Sequence, residues 1–290
     1  MVGNGIVVTT SSRSRIAIVT DSTSDLGAEE VAAAGMTMVP VQIDLGDDTA
    51  LLRALGADEF SGVRDTQGQA LPPLHEVFAE TFGDLLQNHD AVIAILLSDR
   101  LGPACAAARS ARALLPDPER VAVIDSRSVS LGLGLQARRV AEMVLSGASL
   151  ADVVAAAESA RSRFHVVFSI ENIEHLRRIG RIGRAAAMIS EALQLKPLLR
   201  IDEGQIVPYE RARTRAGAIA ELTAFVGEMP GLSEIAVLYA TDRRDADMLA
   251  RDVAAVSGTP FDRIRIARIG PAIAAHVGPG ALGIVVEESA

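Results

Sequence analysis

Residues 16–26 read Ile16-Ala-Ile-Val-Thr-Asp-Ser-Thr-Ser-Asp-Leu26. The run Ile16–Thr20 has the length and β-branched character of a buried strand. It stops at a cluster of hydroxyls and carboxylates, Asp21, Ser22, Thr23 and Ser24, ahead of a short helix expected over Leu26–Ala34. Two later segments repeat this grammar. Ala91–Leu97 is an unbroken apolar run that ends at Ser98, and Val121–Ile124 is followed by Asp125-Ser126. Open α/β sheets place ligands beyond the carboxyl ends of their strands, so these polar groups are candidates for one functional edge.

Helical patterns separate the strands. Leu74–Leu86 is amphipathic, Pro103–Leu114 opens with a proline that suits a first helical turn, and Leu131–Leu145 is long. With a further strand over Met36–Ile43, this alternation predicts a parallel sheet covered by helices. Asp44–Gln69 is polar and acidic and gives no clear element. After a helix over Leu150–Ser162 the pattern changes. A strand is expected at Phe164–Ile170, then helices at Asn172–Arg178 and Ala185–Leu195. The strands Pro197–Ile201 and Gln205–Pro208 flank Asp202-Glu-Gly204, a hairpin turn signal. Helices at Ala216–Glu228 and Arg244–Ser257 and strands at Glu234–Tyr239, Arg263–Arg268 and Ala281–Glu287 complete the chain. The expected fold class is α/β: an N-terminal parallel sheet with helices over 15–162, a second α+β domain with a mixed sheet over 163–290, and the ligand site between them. Residues 1–14 read as a loose tail.

The composition narrows the function. The chain of 290 residues is 49% hydrophobic but only 3% aromatic and has no Trp, so its core is aliphatic. Such a core suits helices on a parallel sheet and equally a ring-free slot for an alkyl chain. The net charge of −9 argues against nucleic acid and against anionic membranes. The single cysteine, Cys105, excludes an intrachain disulfide and is expected to be a small buried residue on a helix. No apolar run is long enough to span a bilayer, and a cytoplasmic protein is expected. The window Arg161–Arg215 runs against the overall charge, with ten Arg and one Lys against six acidic residues. It is either a solvated face with local ion pairs or a basic surface for a phosphate or an acidic protein.

Near the far end lies His276-Val-Gly-Pro-Gly-Ala-Leu-Gly283, one histidine beside a stiff, close-approaching turn. Further segments stand between the two termini in order: Ile95-Leu-Leu-Ser-Asp-Arg-Leu-Gly102, Val123-Ile-Asp-Ser126, Leu176-Arg-Arg-Ile-Gly-Arg-Ile-Gly183 with Leu195-Lys-Pro-Leu198, and Asp202-Glu-Gly-Gln-Ile206 with Arg211-Ala-Arg213. Together with Ile16–Leu26 these motifs resemble the DegV family over residues 15 to 288. That family comprises bacterial fatty-acid-binding proteins that hand their lipid to a fatty acid kinase.

The resemblance implies a long-chain fatty acid held in an interdomain tunnel, with no other cofactor and no metal. It implies a separate kinase partner that converts the bound carboxylate to an acyl phosphate for phospholipid synthesis. It places the lipid carboxylate at Ser98 and His276, with Asp21, Ser22, Thr23, Asp125 and Ser126 near the site. A third donor in the family is a threonine, and the ungapped register anchored on Pro73 and Phe78 puts Ala70 there, with Thr66 four residues upstream. Arg181 matches a family arginine near the site, and Arg213 one that faces the kinase. A structural salt bridge is the alternative for both.

Other readings of the same residues remain open. Ser24 could cap the helix expected at Leu26, and Ser98 the helix expected at Pro103. Ser98, His276 and Asp21 or Asp125 could form a hydrolase triad, although no G-x-S-x-G elbow surrounds Ser98. A regulatory protein for another amphiphile is a third class. Gly132-Leu-Gly-Leu-Gln-Ala137 matches a dinucleotide fingerprint only superficially, because it starts well after its strand.

Overall fold

The computed structural model describes residues 15–41, 72–171, 173, 176 and 195–289. Ala70, Arg181, the tail and most of the two helices expected within 172–195 lie outside the described residues.

The first sheet is built from β1 (Ile16–Asp21), β2 (Met36–Val39), β3 (Ala91–Leu96) and β4 (Val121–Asp125). All four run parallel in the order β2-β1-β3-β4. Every residue of β1 and β3 is buried, as strands covered on both faces require. The covering helices are α1 (Ala28–Ala33), α2 (Leu74–Leu86), α3 (Ala104–Ala113), α4 (Leu131–Leu145) and α5 (Leu150–Ala160). α2 buries Phe78 and Phe82, one turn apart, with ring centroids at 5.6 Å. Ser149 caps α5 by accepting the Asp152 N–H.

The second sheet contains β5 (Phe164–Ser169), β6 (Lys196–Asp202), β7 (Gln205–Ala212), β8 (Leu232–Tyr239), β9 (Arg265–Arg268) and β10 (Leu282–Glu288). Its order is β7-β6-β5-β10-β8-β9. All neighbours are antiparallel except β8 and β9, which makes the sheet mixed. α6 (Arg215–Gly227) is capped by Thr214 and α7 (Arg243–Ser257) by Asp242. A short helix the sequence reading did not foresee, α8 (Pro271–Val277), carries His276 in its last turn. The seven residues have only about two turns of periodicity to show, and Gly270-Pro271 reads as a loop signal.

The β6–β7 hairpin is longer than expected and closes on Glu203-Gly204, both with positive φ (47° and 77°). Two left-handed residues between paired Asp202 and Gln205 make the tight turn that matches strand twist.

One aliphatic core joins residues of both sheets, including Leu131, Leu133 and Leu135 from α4 with Val166, Phe168 and Val285 from the second sheet. Gly132 lets α4 approach β5, since a Cβ there would lie 2.5 Å from Val166 Cγ2. Ion pairs bind the rim. Arg139 on α4 donates to Glu287 on β10 (2.7 Å), and Arg265 on β9 forks onto Glu30 on α1 (2.6 and 2.7 Å). Cys105 is buried on α3, as expected, with its thiol directed at the Leu97 carbonyl (3.3 Å).

Candidate functional site

The carboxyl ends of β1, β3 and β4 are bound to one another. Asp21, fully buried, accepts hydrogen bonds from the Leu97 N–H (2.7 Å), the Thr23 N–H (2.9 Å) and the Thr23 hydroxyl (2.5 Å). Burial pushes its carboxyl up, against the pull of those three donors. One side chain thus caps the 3-10 turn Ser22–Ser24 and fixes the residue before Ser98. The Ser22 hydroxyl accepts the Val41 N–H (2.9 Å) and so anchors the chain leaving β2. Ser24 is buried inside that turn, and the N-cap of α1 is Gly27. The helix-cap reading of Ser24 is therefore overturned: the turn intervenes and moves the helix start to Ala28.

Ser98 is completely buried at the end of β3. Its N–H donates to the Ser128 carbonyl (3.0 Å), and its own carbonyl accepts from Leu101 (2.9 Å) and Gly102 (3.1 Å). Its hydroxyl oxygen accepts the Arg100 N–H (3.3 Å), and its proton goes to the Gly204 carbonyl (2.8 Å) on the β6–β7 tip. Ser98 does not cap α3, whose N-cap is Pro103.

Asp125 accepts the N–H of Arg127 (2.8 Å) and of Asp99 (3.3 Å), which ties the β4 loop to the Ser98 loop. Ser126 closes the same turn by accepting the Ser128 N–H (3.1 Å). Arg127, left-handed at φ 50°, forms an ion pair with Glu203 on the hairpin tip.

The helix that carries His276, α8, packs on the 22–24 turn. Asp25 lies against the helix start. Its carboxylate accepts from the Ser130 hydroxyl, and its other oxygen sits against Gly270, where a Cβ would lie 2.5 Å from it. Burial pushes this carboxyl up to about 7, with the nearby Asp21 adding a smaller rise. The turn after His276 is braced separately. Arg215 donates to the Gly280 carbonyl (2.8 Å) while paired with Asp245 (2.7 Å), and Thr241 donates to the Pro279 carbonyl (2.6 Å).

Asp21, Ser22, Thr23, Ser98, Asp125 and Ser126 therefore share one edge of the first sheet, and the His276 helix packs on it. Arg213 does not belong with Ser98. It is exposed just past the end of β7, about 25 Å of strand from the tip that meets Ser98, and two residues before Arg215. Sequence reasoning missed Asp25, Arg127, Gly204 and Arg215. Glu203-Gly204 was legible as a turn, but nothing local told that it would land on Ser98. Among the described residues no cluster of His, Cys, Asp or Glu could hold a metal, and no helix is long and apolar enough to cross a membrane.

Three comparisons place this arrangement among known proteins. The family model described as "uncharacterised protein, DegV family" matches residues 15–289. A DegV domain-containing protein of Deinococcus radiodurans is 34% identical over 283 residues, covering 94% of this chain and 98% of the relative. Among solved structures, a DegV family protein from Thermus thermophilus described for its fatty acid binding superposes with a TM-score of 0.81 at 32% identity, over 95% of this chain and 100% of the other. DegV, a fatty acid binding protein from Bacillus subtilis, superposes with a TM-score of 0.76 at 25% identity, over 95% and 100%.

Proposed function

Because the chain belongs to the DegV family, we propose that it binds one long-chain fatty acid between its two sheets, with the carboxylate at the edge formed by Ser98, the Asp21–Ser24 turn and the His276 helix. The observation that carries this reading is the full-length match to a fatty-acid-binding relative. The local chemistry agrees with it. A buried hydroxyl and a neutral or protonated imidazole are both donors to a carboxylate, and the core on either side is almost wholly aliphatic. Each buried CH₂ contributes about 0.8 kcal/mol, so a ~16-carbon tail contributes about 10 kcal/mol before ordering costs. The tail sets affinity and the head sets orientation.

The protein then acts as a carrier, and a separate kinase performs the chemistry. The kinase transfers the γ-phosphoryl group of ATP to a carboxylate oxygen, forming an acyl phosphate and ADP. Arg213, exposed and remote from Ser98, is assigned to that partner by family register alone. Arg181 and Ala70 stay assigned by family register alone, as a site-flanking arginine and the position of the third donor. Mass spectrometry of the protein purified from cells under native conditions tests the reading: a mass increment of one fatty acid per chain is expected. A lipid-free protein that takes up no palmitate overturns it. Adding the cognate kinase and ATP should give hydroxylamine-trappable acyl phosphate only when the carrier is present.

A further inference from the structure

The tip of the β6–β7 hairpin occupies the very group assigned to the ligand. A serine hydroxyl has one proton to donate, and that of Ser98 is committed to the Gly204 carbonyl at 2.8 Å. A carboxylate can only accept. A fatty acid carboxylate and the Gly204 carbonyl therefore compete for a single donor. We propose that the hairpin tip, residues 202–205, is a built-in latch on the Ser98 site, which the carboxylate must displace to bind. The inference rests on the fatty-acid reading given above.

Three features show that the tip is seated there by design of the sequence. Gly204 is the only residue type that fits: its φ is 77°, and a Cβ would lie 2.4 Å from Ser98 Oγ and 3.3 Å from Arg127 Cα. Glu203 adopts φ 47° and pairs with Arg127 on the facing loop. Arg127 is itself fixed by its N–H to Asp125, the carboxylate that also holds the Asp99 N–H beside Ser98. The fastening is light, because Glu203 and Arg127 keep 68% and 45% of their side chains exposed, so it can open in response to a ligand. The apparent affinity for a carboxylate is then the intrinsic affinity scaled by the fraction of molecules with the latch open. Loosening the latch raises affinity, whereas loosening an ordinary structural contact does not.

The test is a double-mutant cycle read by palmitate binding to lipid-stripped protein. Glu203→Gln removes the charge of the fastening and should tighten palmitate binding about two- to fivefold, the range of an exposed ion pair. In a Ser98→Ala background there is no proton to compete for, so Glu203→Gln should leave palmitate affinity unchanged. Arg127→Gln gives an independent version of the same cycle should the first variant fold poorly. If Glu203→Gln leaves binding unchanged, weakens it, or acts equally with and without the Ser98 hydroxyl, the latch is wrong although the carrier reading survives. A wild-type protein that takes up no palmitate defeats the carrier reading, and the latch with it.

Discussion

The Asp21 carboxylate at the end of β1 accepts the Leu97 N–H at 2.7 Å, so the residue next to Ser98 is held from a neighbouring strand. Asp21 also accepts the N–H and hydroxyl of Thr23. Removing the carboxylate strands three buried donors. We expect Asp21→Ala to cost about 2–4 kcal/mol in urea unfolding. It should also weaken palmitate binding by at least tenfold, because the Ser98 loop loses its anchor. Asp21→Asn keeps one acceptor oxygen and should cost less. An alanine variant with wild-type stability would show that the Asp21 contacts are incidental.

Asp25 gives stability a pH dependence of definite sign. Its folded pKa is raised from 3.8 to about 7 by burial. The folded state therefore holds the proton more tightly than the unfolded chain. The stabilisation is full below about pH 4 and is lost as pH rises through about 7. Relative to Asp25→Asn, the wild type should lose roughly 3 kcal/mol between pH 4.5 and 7.5. Denaturant titrations of the pair across that range check the slope; parallel curves would refute it.

Glu287 is only 3% exposed and depends on Arg139, with Arg163 more distant at 3.8 Å. Arg139→Ala should therefore destabilise by about 2–4 kcal/mol, since it strands a buried carboxylate. The double variant Arg139→Met/Glu287→Leu should recover most of that loss, because both charges go together. Thermal and chemical denaturation of the two proteins distinguishes a stranded charge from a simple loss of packing.

Two glycines in helices should respond oppositely to alanine. At Gly132 a Cβ would meet Ser128 Oγ at 2.2 Å and Val166 Cγ2 at 2.5 Å, where α4 packs on the second sheet. Gly132→Ala should cost about 1–3 kcal/mol. Nothing lies within 4 Å of a Cβ at Gly83 in α2. Gly83→Ala should gain about 0.5–1 kcal/mol, from helix propensity alone. Equal effects at the two sites would contradict the packing described for α4.

Much of this was legible in the sequence because strand burial is a local property. Ala91–Leu96 has no polar residue, so its fate between two helical layers follows from composition. Leu74–Leu86 and Leu131–Leu145 carry their own periodicity and were placed to the residue. The joining of Asp21, Ser98 and Asp125 at one edge follows from parallel strands ending together. The missed features are long-range. Gly204 and Ser98 are 106 residues apart, and Ser130 and Asp25 are 105 apart. No periodicity predicts which loop meets which. Gly132 and Gly134 could be dismissed as a nucleotide fingerprint, yet their reason, close approach to Val166 and to the Ser24 carbonyl, needed both partners in place.

The carrier account is tested most directly by carbon-13 NMR of carboxyl-labelled palmitate added to lipid-stripped protein, with Ser98→Ala in parallel. One bound palmitate per chain is expected, with a carboxylate resonance distinct from that of free lipid. Removing the Ser98 hydroxyl should shift that resonance and weaken binding about three- to tenfold, the difference between a charge-assisted bond to the carboxylate and the neutral bond to Gly204 that it replaces. Palmitate that fails to bind, or binds with the same affinity and the same resonance in both proteins, would contradict it.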